Sequence, residues 1–72
     1  MEELNAIRER LKNNRLSFTW LIFQLDSKGI KTDKTEVSSI FAGTRTGAKA
    51  ESIIQEAKVI LDNYENAFVK DY

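Results

Sequence analysis

Apolar residues recur every three or four positions along most of this chain, which is the spacing of one face of an α-helix. Proline is absent and glycine occurs three times in 72 residues, so few residues interrupt this pattern. The chain has room for one small domain with a single modest core. The sequence therefore predicts one all-α domain over residues 1–72, a bundle of four or five helices.

The first helix is predicted from the stripe of Leu4, Ile7 and Leu11. Two asparagines follow, and asparagine tolerates the left-handed conformation in which many helices end. We therefore expect Asn13 and Asn14 to terminate this helix.

Two shorter helices follow around a turn. Ser17 is a suitable N-cap for the second helix, and Gly29 and Ile30 supply a flexible residue and an apolar plug for the turn. The third helix is expected from about Asp33 to Ala42, with Gly43 as its terminator. The inward-facing residues of these two helices are predicted to be Phe18, Leu21, Ile22, Leu25, Val37, Ile40 and Phe41.

A long helix is predicted over about 48–69. Part of its apolar face alternates steps of four and three residues, a spacing that also suits a seam with a second chain. The face is wider than such a seam, so packing on the core is the favoured interpretation. Its members are Ala50, Ile53, Ile54, Ala57, Ile60, Leu61, Tyr64 and Phe68.

Composition excludes several functions. The chain has no cysteine and no histidine, so it lacks the usual ligands for zinc and any disulfide. The sequence offers no combination of a general base, a polarising group and a pocket that would make a catalytic site. We therefore expect that the chain is not an enzyme and has no cofactor or small-molecule substrate. The longest apolar run, from Trp20 to Phe23, is far below the roughly 20 residues that span a membrane, and a cytoplasmic protein is expected.

Two helices around a turn are common in proteins that bind DNA, but the net charge of this chain argues against that function. Eleven basic and eleven acidic residues cancel, whereas domains that bind duplex DNA unaided usually carry a basic excess. DNA binding by this chain alone is therefore expected to be weak.

The segments "LSFTWLIFQL" and "KTEVSSIFAGTR" resemble the helix-turn-helix of phage Cro and CI repressors of the Xre-type superfamily. The resemblance implies a lambda repressor-like fold with a helix-turn-helix over about residues 17–43. Two features depart from it: "DSKGIKTD" is longer than the usual turn, and Asp33 and Glu36 place acid at the start of the presumed recognition helix.

In size and pattern the chain is similar to the modulator-of-repression antirepressors of temperate phages of Gram-positive bacteria. The resemblance implies binding to the N-terminal DNA-binding domain of a CI-type repressor, as a heterodimer through both helix-turn-helix regions. That complex would keep the repressor from its operators and favour lytic growth in the host bacterial cytoplasm. It also implies that the two proteins can act together as a joint repressor on DNA.

Asp33 and Glu36 have two interpretations, which can both hold. Their spacing is that of a capping box, which satisfies free backbone N–H groups at the start of a helix. Alternatively, they present negative charge to the basic reading surface of the repressor. Asp26 extends this acidic face.

Apolar contacts to the partner are expected from Phe23 and from Ile30. Ile30 is the more ambiguous of the two, because it also suits a core plug. Trp20 lies one helical turn before Phe23, and the sequence leaves open whether it belongs to the core or to the interface.

The alternative function is a Cro-like homodimer that reads operator DNA. In that case Lys34, Thr35, Ser39 and Arg45 would enter the major groove. Further lysines available for phosphates are Lys28, Lys31 and Lys49.

Overall fold

Four helices make up the part of the chain that the structure describes. The structure, a computed structural model, describes residues 2–70, with side chains from 2 to 67. The helices are α1 (Glu2–Asn13), α2 (Phe18–Ser27), α3 (Lys34–Phe41) and α4 (Ala48–Lys70), and no strand occurs among these residues. The prediction of an all-helical bundle is confirmed, while the side chain of Phe68 lies outside the described residues.

One hydrophobic core is shared by all four helices. Helix α4 packs against α1 and α2, and α3 packs against α2 and α1. The predicted inward faces are confirmed, except that four of their residues are only half-buried: Leu4, Phe18, Ile22 and Tyr64. The buried residues are Ile7, Leu11, Leu21, Leu25, Val37, Ile40, Phe41, Ala50, Ile53, Ile54, Ala57, Ile60 and Leu61.

The apolar face of α4 is part of this core. Six residues have the spacing that also suited a seam with a second chain, and four of them, Ala50, Ile54, Ala57 and Leu61, are at most 8% exposed. Of the other two, Tyr64 is half-buried and the side chain of Phe68 lies outside the described residues. Packing on the core is therefore confirmed for the four buried positions.

Helix α2 ends in a Schellman motif, in which a residue of positive φ follows the helix and two backbone bonds close the last turn. Gly29 has φ 85° and its N–H donates to the carbonyl of Asp26, while the N–H of Ile30 donates to the carbonyl of Leu25. Ile30 is half-buried against the core, as expected of a plug beneath the turn. The same motif ends α3, with Gly43 at φ 83°.

Helix α1 ends at Asn13, as predicted, and in the same motif, but neither asparagine is its left-handed residue. The left-handed residue is Arg15, at φ 58°, rather than Asn13 or Asn14. The N–H of Leu16 donates to the carbonyl of Leu11 at 2.8 Å. Leu16 packs against the core. The left-handed residue is Arg15, two residues beyond the end of α1, because this position lets Leu16 make that apolar contact.

We expect Arg15→Gly to stabilise the domain. Relief of the left-handed penalty, partly offset by greater freedom of glycine in the unfolded chain, should add about 0.5–1 kcal/mol. This corresponds to a rise in melting temperature of roughly 3–6 °C for a domain of this size. Thermal unfolding followed by circular dichroism measures it.

Gly29→Ala is the matched control for that prediction. A Cβ at Gly29 meets nothing within 4 Å, so its expected loss of about 1 kcal/mol comes from the backbone conformation alone. A fall in melting temperature for both variants would contradict the interpretation of Arg15 as a strained helix end.

Ion pairs join α4 to each of the other helices. The guanidinium of Arg10 binds both carboxylate oxygens of Glu65, at 2.9 and 3.2 Å, and Asp62 at 2.7 Å. Asn14 donates its side-chain N–H to Glu65 at 2.9 Å. These contacts raise the pKa of Arg10 and lower that of Glu65, in each case chiefly through their mutual hydrogen bond. Further pairs are Glu3–Lys58, Lys28–Glu56 and Glu36–Lys49.

Within residues 2–70, none of the helices combines the length and the apolar character that a membrane span requires.

Candidate partner-binding surface

The connection between α2 and α3 spans residues 28–33 and positions the candidate surface. It is six residues long, compared with the three or four residues common in helix-turn-helix motifs. The longer turn predicted from "DSKGIKTD" is therefore confirmed. The surface consists of this connection, the outward face of α2 and the start of α3, and we call it the turn surface.

Asp33 is the N-cap of α3. Its carboxylate accepts a hydrogen bond from the backbone N–H of Glu36 at 2.7 Å, which satisfies a donor that the helix itself leaves free. The predicted cap is confirmed. Asp33 is exposed, and a carboxylate accepts at both oxygens, so it retains acceptor capacity for a partner.

The carboxylate of Glu36 does not make the second bond of the predicted capping box, to the backbone N–H of Asp33, because its contacts are with other groups. Its carboxylate accepts from the hydroxyl of Thr32 at 2.5 Å and lies 3.0 Å from Lys49 Nζ and 3.3 Å from Arg45 Nη1. Its side chain is only 15% exposed. The hydrogen bond from Thr32, followed by the contacts with Lys49 and Arg45, lowers the pKa of Glu36. Two cations of the same chain therefore balance this carboxylate.

The stability of the domain should fall as the pH drops below about 4.5, the ordinary pKa of a glutamate. The folded state lowers the pKa of Glu36 and Glu65. These carboxylates therefore stabilise it above their unfolded pKa, and the effect is lost as pH falls through the folded pKa. Urea unfolding at pH 7, 5, 4 and 3 measures the slope.

In Glu36→Gln the pH slope should be shallower and the stability at pH 7 lower. Glu9→Gln is the matched control, because Glu9 is exposed in the interior of α1, away from a helix N-terminus, and lies outside the ion pairs of the described side chains. An unchanged slope in Glu36→Gln would contradict the role given to Glu36.

Asp26 and Ile30 lie on either side of the end of α2. Asp26 pairs with Lys31 at 2.6 Å, and both side chains are exposed. Ile30 is directed against the core and offers a partner little apolar area. The turn surface thus brings Asp26 and Asp33 near one connection, while Ile30 lies mainly beneath it.

Phe23 is the most exposed large apolar residue of the described side chains, at 69%. It lies one helical turn before Asp26 on α2, on the side opposite the buried Leu21 and Leu25. Large exposed aromatics are costly to leave in water and common as anchors of protein interfaces. Its predicted exposure is confirmed.

Trp20 is held by the last helix. It is half-buried, packs against the core and meets Tyr64 edge-on with ring centroids 5.3 Å apart. The structure thereby answers the question that the sequence left open, because this contact makes Trp20 mainly a part of the α2–α4 packing.

The candidate DNA-reading residues are only partly available. Lys34 and Thr35 are exposed on α3, and Ser39 is half-buried. The carbonyl of Ser39 accepts bonds from the backbone N–H groups of Thr44 and Arg45. Arg45 is itself paired with Glu36. Lys28, Lys31 and Lys49 are likewise paired with carboxylates of the same chain.

Sequence reasoning missed the role of Lys49 and Thr32 as partners of Glu36. Thr32 immediately precedes the N-cap Asp33 and lies outside α3, so the periodicity of the helix gave no signal for its contact with Glu36. Lys49 is thirteen residues beyond Glu36 in the sequence, and only the packing of α4 brings them together.

Among the described residues, no group of three or more acidic side chains is placed to hold a metal ion. Comparison of the chain with models of protein families, with curated proteins and with solved structures gives no match. The helices and their burial define the class of protein: a small all-α domain with one exposed aromatic, Phe23, on its second helix.

Proposed function

We propose that this chain is a phage antirepressor of the modulator-of-repression kind, in which α2 and α3 form a lambda repressor-like helix-turn-helix. Its partner is the N-terminal DNA-binding domain of a CI-type repressor in the host bacterial cytoplasm. The turn surface covers the repressor's DNA-reading face and keeps it from its operators, which favours lytic growth.

The observation that carries this proposal is the 69% exposure of Phe23 on α2. One helical turn further along lies Asp26, whose carboxylate is paired with Lys31 of the same chain. An aromatic anchor supplies the apolar centre of a protein interface, and nearby carboxylates suit a partner whose own surface binds phosphates. Asp33 provides the second carboxylate. In this arrangement Glu36 holds Arg45 and Lys49 in place rather than meeting the partner directly.

The ion pairs of the chain also support a protein partner over DNA. The attraction of a protein for duplex DNA comes from cations that replace the counterions of phosphates. Near the turn, Lys31, Arg45 and Lys49 each already have a carboxylate partner in this chain. Contact with DNA would require these ion pairs to break. This fits DNA binding that is weak or that occurs only together with the repressor.

A Cro-like homodimer is the second candidate, and one observation favours it. Lys34 is exposed at the start of α3 and lies outside the ion pairs of the described residues, next to the exposed Thr35. Both side chains are therefore available for contacts with bases and phosphates.

Two binding measurements distinguish the candidates. An antirepressor forms a stable complex with the repressor's N-terminal domain and abolishes the shift of operator DNA by the repressor. A Cro-like protein shifts operator DNA alone at about 0.15 M salt, where exposed charges are screened beyond roughly 8 Å. Operator binding by the chain alone, without a repressor complex, would overturn the proposal.

Asp33→Asn tests the electrostatic part of the proposal. Asparagine caps a helix about as well as aspartate, so the melting temperature should change little while the charge is lost. The affinity for the repressor domain should fall by about three- to tenfold, the value of one interfacial charge pair. Isothermal titration calorimetry at two salt concentrations measures the change, and it should diminish at high salt. Equal affinity would remove Asp33 from the interface.

A further inference from the structure

Unpaired cations of this neutral chain gather on a face that the proposed function does not use. Six lysine and arginine side chains pair with carboxylates of the same chain. Among the side chains of residues 2–67, the remaining four are exposed and outside these pairs. They are Arg8, Lys12, Arg15 and Lys34.

Two of these cations line a groove between α1 and the start of α2. Arg8 and Lys12 are four residues apart on α1, so they lie on one face of the helix. Leu16 and Phe18, both half-buried, supply apolar lining. Glu9 is the only carboxylate among the residues that line this groove.

The other two cations lie close to this groove. Lys34 lines an adjoining depression that shares Phe18 with the groove. Arg15 directly precedes Leu16 in the α1–α2 connection. It occupies a left-handed position that glycine holds at the ends of α2 and α3, so an arginine at this place carries a conformational cost.

The unpaired carboxylates do not offset this charge locally. Within residues 2–67, three of the four lie at the N-terminal ends of helices, where they interact favourably with free N–H groups. These are Glu2, Asp33 and Glu51. Only Glu9 is in the groove, so the net charge of zero conceals a local positive excess.

We propose that this basic groove, lined by Arg8, Lys12, Leu16 and Phe18 and flanked by Arg15 and Lys34, binds an acidic segment of a partner protein that carries an apolar side chain between carboxylates. The cations match the carboxylates, and the lining of Leu16 and Phe18 matches the apolar side chain. A duplex backbone offers phosphates but no apolar side chain for a concave surface. The groove lies at the start of α2 and the turn surface at its end. Lys34, at the start of α3, is the one residue that both include, so the inference rests on Arg8, Lys12, Leu16 and Phe18 and is independent of the proposed function.

The test uses a fluorescently labelled peptide in which leucines alternate with pairs of glutamates. Fluorescence anisotropy measures its binding to the full chain, and amide chemical shifts locate it. We expect saturable binding with shifts centred on Leu16 and Phe18, and none for a peptide with lysine in place of glutamate. Absence of binding would overturn the proposal. So would preferential binding of a mixed-sequence DNA duplex or of phosphatidylglycerol vesicles, each of which would reassign the surface to that class of ligand.

Variants tie this binding to the groove. The double change Arg8→Gln with Lys12→Gln should weaken peptide binding by about tenfold, as expected for two exposed charge pairs. The matched control makes the same change in net charge with Ser52→Glu and Asn66→Glu, at exposed positions of α4, and should alter binding less than twofold. Equal weakening in both would indicate only a response to net charge and would overturn the proposal.

Arg15→Gly gives an independent check, because stability and binding should change in opposite directions. The variant should melt at a higher temperature and bind the acidic peptide about threefold more weakly, the value of one exposed pair. Unchanged peptide affinity in this variant would exclude Arg15 from the groove's ligand contacts.

Discussion

Replacing Phe23 by alanine should reduce the affinity for a CI-type repressor's N-terminal domain by about thirtyfold or more. Truncation of an aromatic anchor at the centre of an interface typically costs 2 kcal/mol or more, and about 1.4 kcal/mol corresponds to a tenfold change. Because Phe23 is 69% exposed, the free energy of unfolding should change by less than about 0.5 kcal/mol. Calorimetric titration and thermal unfolding on the same samples measure both quantities.

Val59→Ala is the matched control for this experiment. Val59 is the other large apolar residue that is exposed among the described side chains, at 44%, and it lies on α4, which contributes no residue to the turn surface as defined above. Its truncation should leave the affinity within about twofold of the original value. If Phe23→Ala binds as tightly as the unchanged chain, the turn surface is not the interface.

Replacing Phe41 by alanine should have the largest effect on stability. Phe41 is 1% exposed and stacks on Phe18 with ring centroids 5.7 Å apart. Truncation of a buried phenylalanine costs about 3–5 kcal/mol through lost burial and the cavity left behind. A domain of this length has a total stability of roughly 4–11 kcal/mol, so the melting temperature should fall by about 15–30 °C.

The three phenylalanines with described side chains in α2 and α3 provide an internal scale. The loss of stability on change to alanine should be greatest for the buried Phe41, intermediate for the half-buried Phe18 and smallest for the exposed Phe23. Urea unfolding of the three variants gives this order directly. A comparable loss for Phe23 and Phe41 would show that burial has been assigned wrongly on this face of the bundle.

Local signals in the sequence were reliable where the physical cause is itself local. Ser17 and Asp33 cap α2 and α3 as predicted, because a cap needs only the backbone N–H two or three residues ahead. Gly29 and Gly43 end the same helices because glycine alone adopts a left-handed conformation without cost.

At the end of α1 the helix stopped at Asn13, as predicted, but the prediction of a left-handed asparagine was wrong, because a local propensity competed with packing. Asparagine tolerates the left-handed region, yet Arg15 occupies it. The position of this residue is set by the contact of Leu16 with the core, and that contact is worth more than the preference of one residue for one conformation. Which residue would adopt a positive φ therefore depended on where the core lay.

The acidic pair at the start of α3 shows the same division. Asp33 formed the expected cap, whereas Glu36 turned to Thr32, Arg45 and Lys49. Two of those partners are on or beyond the α3–α4 connection, and the sequence gives no distance between them and Glu36. The net charge could be counted from the composition, but which acidic and basic side chains pair with each other could not be predicted.

The sequence by itself determined the four helices, their inward faces and two of their caps, because periodicity and capping act over a few residues. Only the tertiary structure decided which charges remain free, since pairing depends on how α4 packs against the other three helices. It likewise placed Trp20 against Tyr64, because that contact depends on how α4 packs on α2.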